Sequence, residues 1–386
     1  MTSRHWYKGR LRSLTIAIAV AVVALGGAWP AAASAASPWT VEPTPALSGG
    51  GALNGVSCTS ATSCTAVGYS PLGPHAKALA EHWDGSTWAV QAVPSPAGRS
   101  SLLLAVSCTS PANCVAAGVY ISRSGAELGL TERWDGSTWA IQATPSPPGA
   151  TAVVMNGVSC FSATSCTEVG DYSDASGNGL TLAEHWDGST WAIQATPNAV
   201  TSGNVLNAVS CASATECIAV GWHTARQPAT FGTLAERWQG GTWRLQRTNV
   251  AGNAFLEAIS CTSADNCAAV GDTNRAGATN MLADHWDGST WTVQPVPGRP
   301  GISGQLLAVS CPSRAGCTAV GLGTNSLGQL RALSAIFSDG TWRPKATARP
   351  AANEVLNAVS CTPAGGCTAV GGHTRGLTGQ PLVEHR

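Results

Sequence analysis

The stretch "QPLVEHR" at residues 380–386 repeats a phrase that runs on elsewhere: "KALAEHWDGSTWAVQ" at 77–91, "LTLAEHWDGSTWAIQ" at 180–194 and "NMLADHWDGSTWTVQ" at 280–294. The half that 380–386 lacks stands near the start of the chain, as "PWTVEPTP" at 38–45. It is in phase with "STWTVQPVP" at 289–297 through Trp39, Val41, Pro43 and Pro45. A third strand without its fourth and a fourth without its third are complementary. If they pair, the array they belong to closes on itself.

That array is marked by cysteine. The first cysteines of successive pairs (Cys58, Cys108, Cys160, Cys211, Cys261, Cys311 and Cys361) are 50 to 52 residues apart, and each is followed six residues later by a second (Cys64, Cys114, Cys166, Cys217, Cys267, Cys317 and Cys367). A fixed period of this length means one supersecondary unit repeated seven times. Fourteen cysteines in one spacing, with none left over, read as seven disulfides across short hairpins. Zinc sites favour closer pairs such as C-x-x-C. Each bridge closes a small loop, worth about 2 kcal/mol in the chain-entropy model.

Within a unit, the pattern predicts four strands. "LNAVSC" (206–211) and "CIAVG" (217–221) make a hairpin. "TLAEHW" (181–186) alternates Leu182, Glu184 and Trp186 on one face, and Asp-Gly then turns the chain into "STWAIQATP" (189–197). The expected fold is all-β: a seven-bladed β-propeller of four-stranded antiparallel blades, with the ring closed by 38–45 as the fourth strand of the last blade. Residues 37–386 form this single domain. Residues 1–36 read as a signal peptide, with Arg4, Lys8, Arg10 and Arg12 ahead of an apolar run and a small-residue cleavage site near Ala35.

Without those four cations, 17 basic residues stand against 21 acidic ones, about −4. Nucleic acid is therefore not an expected partner. No second apolar run reaches membrane-spanning length, so the processed chain is expected to be secreted or extracellular, free of a membrane span and monomeric. Its Arg-rich, Ala- and Gly-rich composition suits a bacterial source.

The unit from "CTAVGG" (367–372) through "LAEHWDGSTWAVQAVPSP" (79–96) resembles the kelch repeat, and "WDGSTW" is similar to the Asp-box of sialidase propellers. Both resemblances imply a propeller and neither transfers an activity. A kelch-like copper radical oxidase needs a free cysteine and clustered tyrosines, and this pattern offers neither.

The carboxylate-imidazole pairs of the third strand, such as Glu81-His82 and Glu184-His185, recur around the ring, and strand neighbours point to opposite faces. They are expected to make salt links or hydrogen bonds between blades. The departures from the repeat carry more information. Tyr69, Tyr120, Tyr172 and Trp222 follow the glycine that ends strand two, on the face that carries the variable loops, with Asp171, Asp174, His223, Arg226, Asp272 and Arg275 nearby. Aromatics among acids suit a glycan or a peptide. Two readings stay open, ligand contacts or plugs in the gaps between blades.

The chain lacks Gly-x-Ser-x-Gly, His-Glu-x-x-His, phosphate-loop and calcium-loop motifs, so no catalytic residue, metal or cofactor is assigned. The expected function is a binding module for an extracellular glycan or protein. A glycan hydrolase or lyase using Glu127, Asp171, Asp174 or Asp272, and a purely structural surface protein, are the alternatives.

Overall fold

The computed structural model describes residues 39–386 except 73–74, 97, 226–229, 251, 276–277, 299–301, 349–351 and 376–377. The expected leader, 1–36 with its cleavage site near Ala35, lies outside the described residues. Seven sheets of four antiparallel strands form, six of them simple meanders. In blade 1 these are Ala52–Ser60, Ser63–Leu72, His75–Trp83 and Trp88–Gln91, from the axis outward. Blades 2 to 6 repeat the plan over 98–142, 152–194, 204–246, 253–294 and 302–345.

Blade 7 takes three strands from Ala352–Cys361, Cys367–Arg375 and Thr378–His385, and its fourth from Thr40–Glu42. The register is Thr40↔His385, Val41↔Glu384 and Glu42↔Val383. It matches Val90↔Glu81 in blade 1 and Ile193↔Glu184 in blade 3. The closure read from the two chain segments is therefore in phase to the residue.

Local chemistry explains the strands. Every inner strand carries a bulge, such as the register shift between Leu53 and Gly55 opposite Gly68. The extra residue pushes backbone toward its partner. A Cβ built on Gly68 would lie 2.0 Å from the Ala52 carbonyl oxygen, and the glycine four residues after the second cysteine of each blade answers that approach. At the opposite end, Asp84 Oδ1 accepts hydrogen bonds from Ser86 N at 2.8 Å, Ser86 Oγ at 2.7 Å and Thr87 N at 2.8 Å, while Gly85 takes φ 96°. The turns at Asp135, Asp187 and Asp287 repeat these bonds.

The seven cysteine pairs are all bridged, and none is free. Such a set belongs to an oxidising compartment. Between blades, apolar layers interlock. Leu53, Leu79 and Trp88 of blade 1 pack on Val370 and Val383 of blade 7, and the remaining crevices follow the same scheme.

At the axis, each inner strand leaves one edge unpaired, a liability that side chains of the preceding blade remove. The Cys58 amide donates to Ser360 Oγ, Cys108 to Ser57, Cys160 to Ser107 and Cys211 to Ser159. Cys261 donates to Ser210, Cys311 to Ser260 and Cys361 to Ser310, all at 2.9 to 3.0 Å. This is an unbroken ring of seven. A second, partial ring uses the bulge residues. Asn54, Asn156, Asn207 and Asn357 donate their amides to the carbonyls of Leu103, Leu206, Leu256 and Leu53.

Candidate binding face

The two ends of the ring differ in kind. Cysteine hairpins and Asp-Gly turns share one end, where the Trp83 indole donates to the Ala61 carbonyl at 3.2 Å. Blade linkers and the loops between strands two and three share the other, where Gly51 N donates to Gly379 O and Thr151 N to Ser173 O. The first end repeats closely, apart from Gln239-Gly240 in place of Asp-Gly in blade 4, Phe337 in place of tryptophan in blade 6 and Arg386 in blade 7, whereas the linkers and loops of the second end differ from blade to blade.

At this variable end the tyrosines are distributed, not gathered. Tyr69 is only 6 % exposed and packs with Leu102 and Val119, and burial raises its phenol. Tyr120 packs against the apolar layer shared by blades 1 and 2, and Tyr172 against that of blades 2 and 3. Trp222 does gather partners. Its ring lies 5.4 Å from Phe231 and 5.9 Å from Phe255, and those two are 5.0 Å apart. The three half-buried rings wedge between blades 4 and 5. His223 beside them turns Nδ1 to the Thr224 carbonyl at 3.1 Å.

Phe231 and Phe255 escaped the sequence reading. The available signal was scarcity, because they are two of only four phenylalanines in the chain.

The acids form a second group, on blades 2 to 5. Asp171 and Asp272 occupy the same blade position as Tyr69 and Trp222 and are buried. Asn156 Nδ2 donates to Asp171 Oδ1 at 3.0 Å, and Asn207 Nδ2 donates to Glu257 Oε2 at 3.1 Å. Burial, then the Glu257 charge, push Asp272 up to about 7. Burial and Asp171 also raise Glu127. Asp174 instead closes its own loop, with Oδ1 accepting from Ser176 N and Asn178 N. Arg226 and the Arg275 side chain lie outside the described residues.

The third-strand pairs make few of the salt links or hydrogen bonds expected between blades, Arg133 on the Ala163 carbonyl and Glu384 accepting from Ala348 N being exceptions. Glu81 and Glu132 are fully buried, and neither carboxyl accepts a hydrogen bond among the described residues. Where the pair has a histidine, the imidazole turns the other way. His82, His185 and His385 each meet a threonine of the same blade (Thr65, Thr167 and Thr368). Arginines at that position do cross the crevice. Arg133 donates to the Ala163 carbonyl and sits 5.3 Å over the Trp186 ring. The cause is strand alternation, which sends the two members of a pair into opposite crevices.

Outside the ring, an open crevice of about 460 Å³ between blades 1 and 2 is lined by Gln91, Val93, Pro94, Trp134 and Trp139. Gln91 Oε1 there accepts the Trp139 indole N–H at 2.8 Å. Among the described residues, no group of three or more His, Cys, Asp or Glu is placed to hold a metal ion, and no helix is long and apolar enough to cross a membrane.

Neither a family model nor a curated protein sequence matches this chain. Solved structures do. YCF48 from Cyanidioschyzon merolae superposes with a TM-score of 0.54 at 15% identity, over 91% of this chain and 98% of its own. YCF48 bound to D1 peptide gives 0.52 at 13% identity, over 92% and 98%. A mutant of AofleA from Arthrobotrys oligospora gives 0.43 at 13%, over 80% and 88%. The likeness is one of fold.

Proposed function

We propose that the chain is an exported, monomeric binding module whose variable end, over blades 3 to 5, takes a segment of an extracellular peptide or glycan. The observation that carries this reading is the half-buried Trp222–Phe231–Phe255 wedge beside the Asn207–Glu257–Asp272 rim. An apolar platform next to oriented amides and carboxyls suits a polymer that presents both hydrocarbon and hydroxyl or amide groups. The wedge and its acidic rim sit on a disulfide-stapled scaffold, and loops on a rigid frame are where recognition concentrates. The peptide in the YCF48 complex supports the reading at the level of fold. Export under the leader 1–36 and a kelch-like repeat belong to the same proposal, as do contacts from Tyr69, Tyr120, Asp171, Tyr172, His223 and Arg275.

One observation favours a second reading. Burial and the Glu257 charge raise Asp272 to about 7, and a carboxyl that keeps its proton near neutral pH is what the general acid of a hydrolase or lyase needs. A single experiment separates the two. The purified ring is screened against extracellular polysaccharides and peptide arrays for binding and for release of reducing ends or fragments, with Trp222→Ala and Asp272→Asn alongside. The module requires binding that Trp222→Ala weakens at least about tenfold without turnover. Turnover abolished by Asp272→Asn replaces it with the enzyme, and no response to any polymer leaves a structural role.

A further inference from the structure

The third strands of blades 1, 2, 3, 4, 5 and 7 each aim one acid at the preceding blade: Glu81, Glu132, Glu184, Glu236, Asp284 and Glu384. All are at most 1 % exposed. In blade 6 the place is taken by Ala335. A carboxylate in such a place costs several kcal/mol unless it is paired or neutral. We propose that the blade interfaces form a proton-operated clamp, tight while these buried carboxyls carry their protons and loosened when they lose them.

The groups that face each acid supply little compensation. Glu132 lies between Ala116 and Ile141 of its own sheet, and the opposing titratable group, His82, is engaged with Thr65. Glu81 lies between Ala66 and Val90, with His385 engaged on Thr368 and Glu42 on the adjoining outer strand. Glu184 is the register partner of Glu168, another buried acid. Across the crevice, Thr131 Oγ1 donates to Glu168 at 2.8 Å, while Arg133 is spent on the Ala163 carbonyl and the Trp186 ring.

Glu236 faces Thr181 and His185, the latter engaged on Thr167. Asp284 faces Arg237, whose guanidinium is paired with Glu216 at 2.7 Å and lies over Trp286. Glu384 accepts from Ala348 N at 3.1 Å, with Glu354 adding a like charge and Lys345 on the strand opposite. One proton per buried carboxyl is the simplest way to neutralise each site.

Burial pushes Glu81 and Glu384 up to about 7, Glu132 and Glu236 to about 8, and Asp284 to about 6. Burial likewise raises Glu168 and Glu184, and the charge of Glu184 raises Glu168 further. The folded ring thus keeps protons that the unfolded chain releases near its ordinary 4.5, and stability falls as pH rises through about 7 to 8. His82 and His185, lowered by burial, act in the opposite sense, and only below their ordinary 6.5. The window above that belongs to the carboxyls.

The test is thermal unfolding of the disulfide-intact chain between about pH 6.5 and about pH 9, for the unmodified protein, Glu132→Gln and Glu236→Gln. The midpoint of the unmodified protein should fall by at least about 5 °C across the window, and each amide variant should flatten that fall and melt above the unmodified protein at the alkaline end. A flat or rising midpoint, or amide variants that keep the full slope, overturns the clamp. Should the variants fail to fold, infrared spectra of the unmodified ring near about pH 6.5 decide. Protonated-carboxyl C=O bands that vanish on unfolding support the proposal, and their absence sinks it.

Discussion

The guanidinium of Arg386 lies 5.7 Å from the ring centre of Trp39. In five blades the equivalent contact joins two tryptophans, as in Trp83–Trp88 at 5.8 Å, and in blade 6 it joins Phe337 to Trp342 at 5.4 Å. Blade 7 replaces the third-strand aromatic by a cation, joining residues 39 and 386 across the closure. Reciprocal backbone bonds between Arg386 and Cys367 hold the arginine in register.

Trp39 is 2 % exposed, so Trp39→Ala should cost about 3 to 5 kcal/mol in denaturant unfolding. Arg386→Ala removes a cation–π contact and should cost about 0.5 to 1 kcal/mol. Deleting residues 37–46 should exceed both. Equal stabilities for the deletion and the full ring would remove the closure from the account of the fold.

The serine ring predicts sevenfold equivalence. Ser57→Ala, Ser210→Ala and Ser310→Ala each strip the acceptor from one inward-edge amide, of Cys108, Cys261 and Cys361 respectively. Each should lower stability by about 1 to 2 kcal/mol, and similar values at all three positions are expected from guanidinium melts. A neutral result would mean that water satisfies those amides as well as serine does.

Gly68→Ala and Gly221→Ala should be among the most damaging single-methyl changes in the molecule. The added Cβ would meet the carbonyl oxygen of Ala52 or Val205 at 2.0 Å, and backbone cannot step aside there without breaking the bulge. A loss above about 3 kcal/mol, or failure to recover folded protein, is the expected outcome by calorimetry.

Much of this fold was legible because its rules are local. Alternation along "LAEHW", the glycine after "AV", the Asp-Gly turn and the six-residue cysteine spacing each act within one hairpin, where backbone geometry ties a residue to neighbours a few positions away. The candidate site was legible only in part. Trp222 was found as an outlier, but its partner Phe255 comes from the next blade. Glu81 and Glu132 were expected to make salt links or hydrogen bonds between blades because nothing along the chain reveals that the opposing crevice is apolar and its histidine already engaged.

By itself, then, the sequence determined seven units, four strands in each, seven cross-hairpin bridges and the pairing of the segment at Trp39 with the strand that ends at His385. All of these follow from period, alternation and spacing. Tertiary structure decided which crevice each side chain enters and what awaits it there. It placed serines under neighbouring amides, wedged three aromatics between blades 4 and 5, and sealed carboxyls away from water. The serine contacts join residues about 50 positions apart and the aromatic ones span two blades, and their energies depend on desolvation, which only the closed ring of blades imposes.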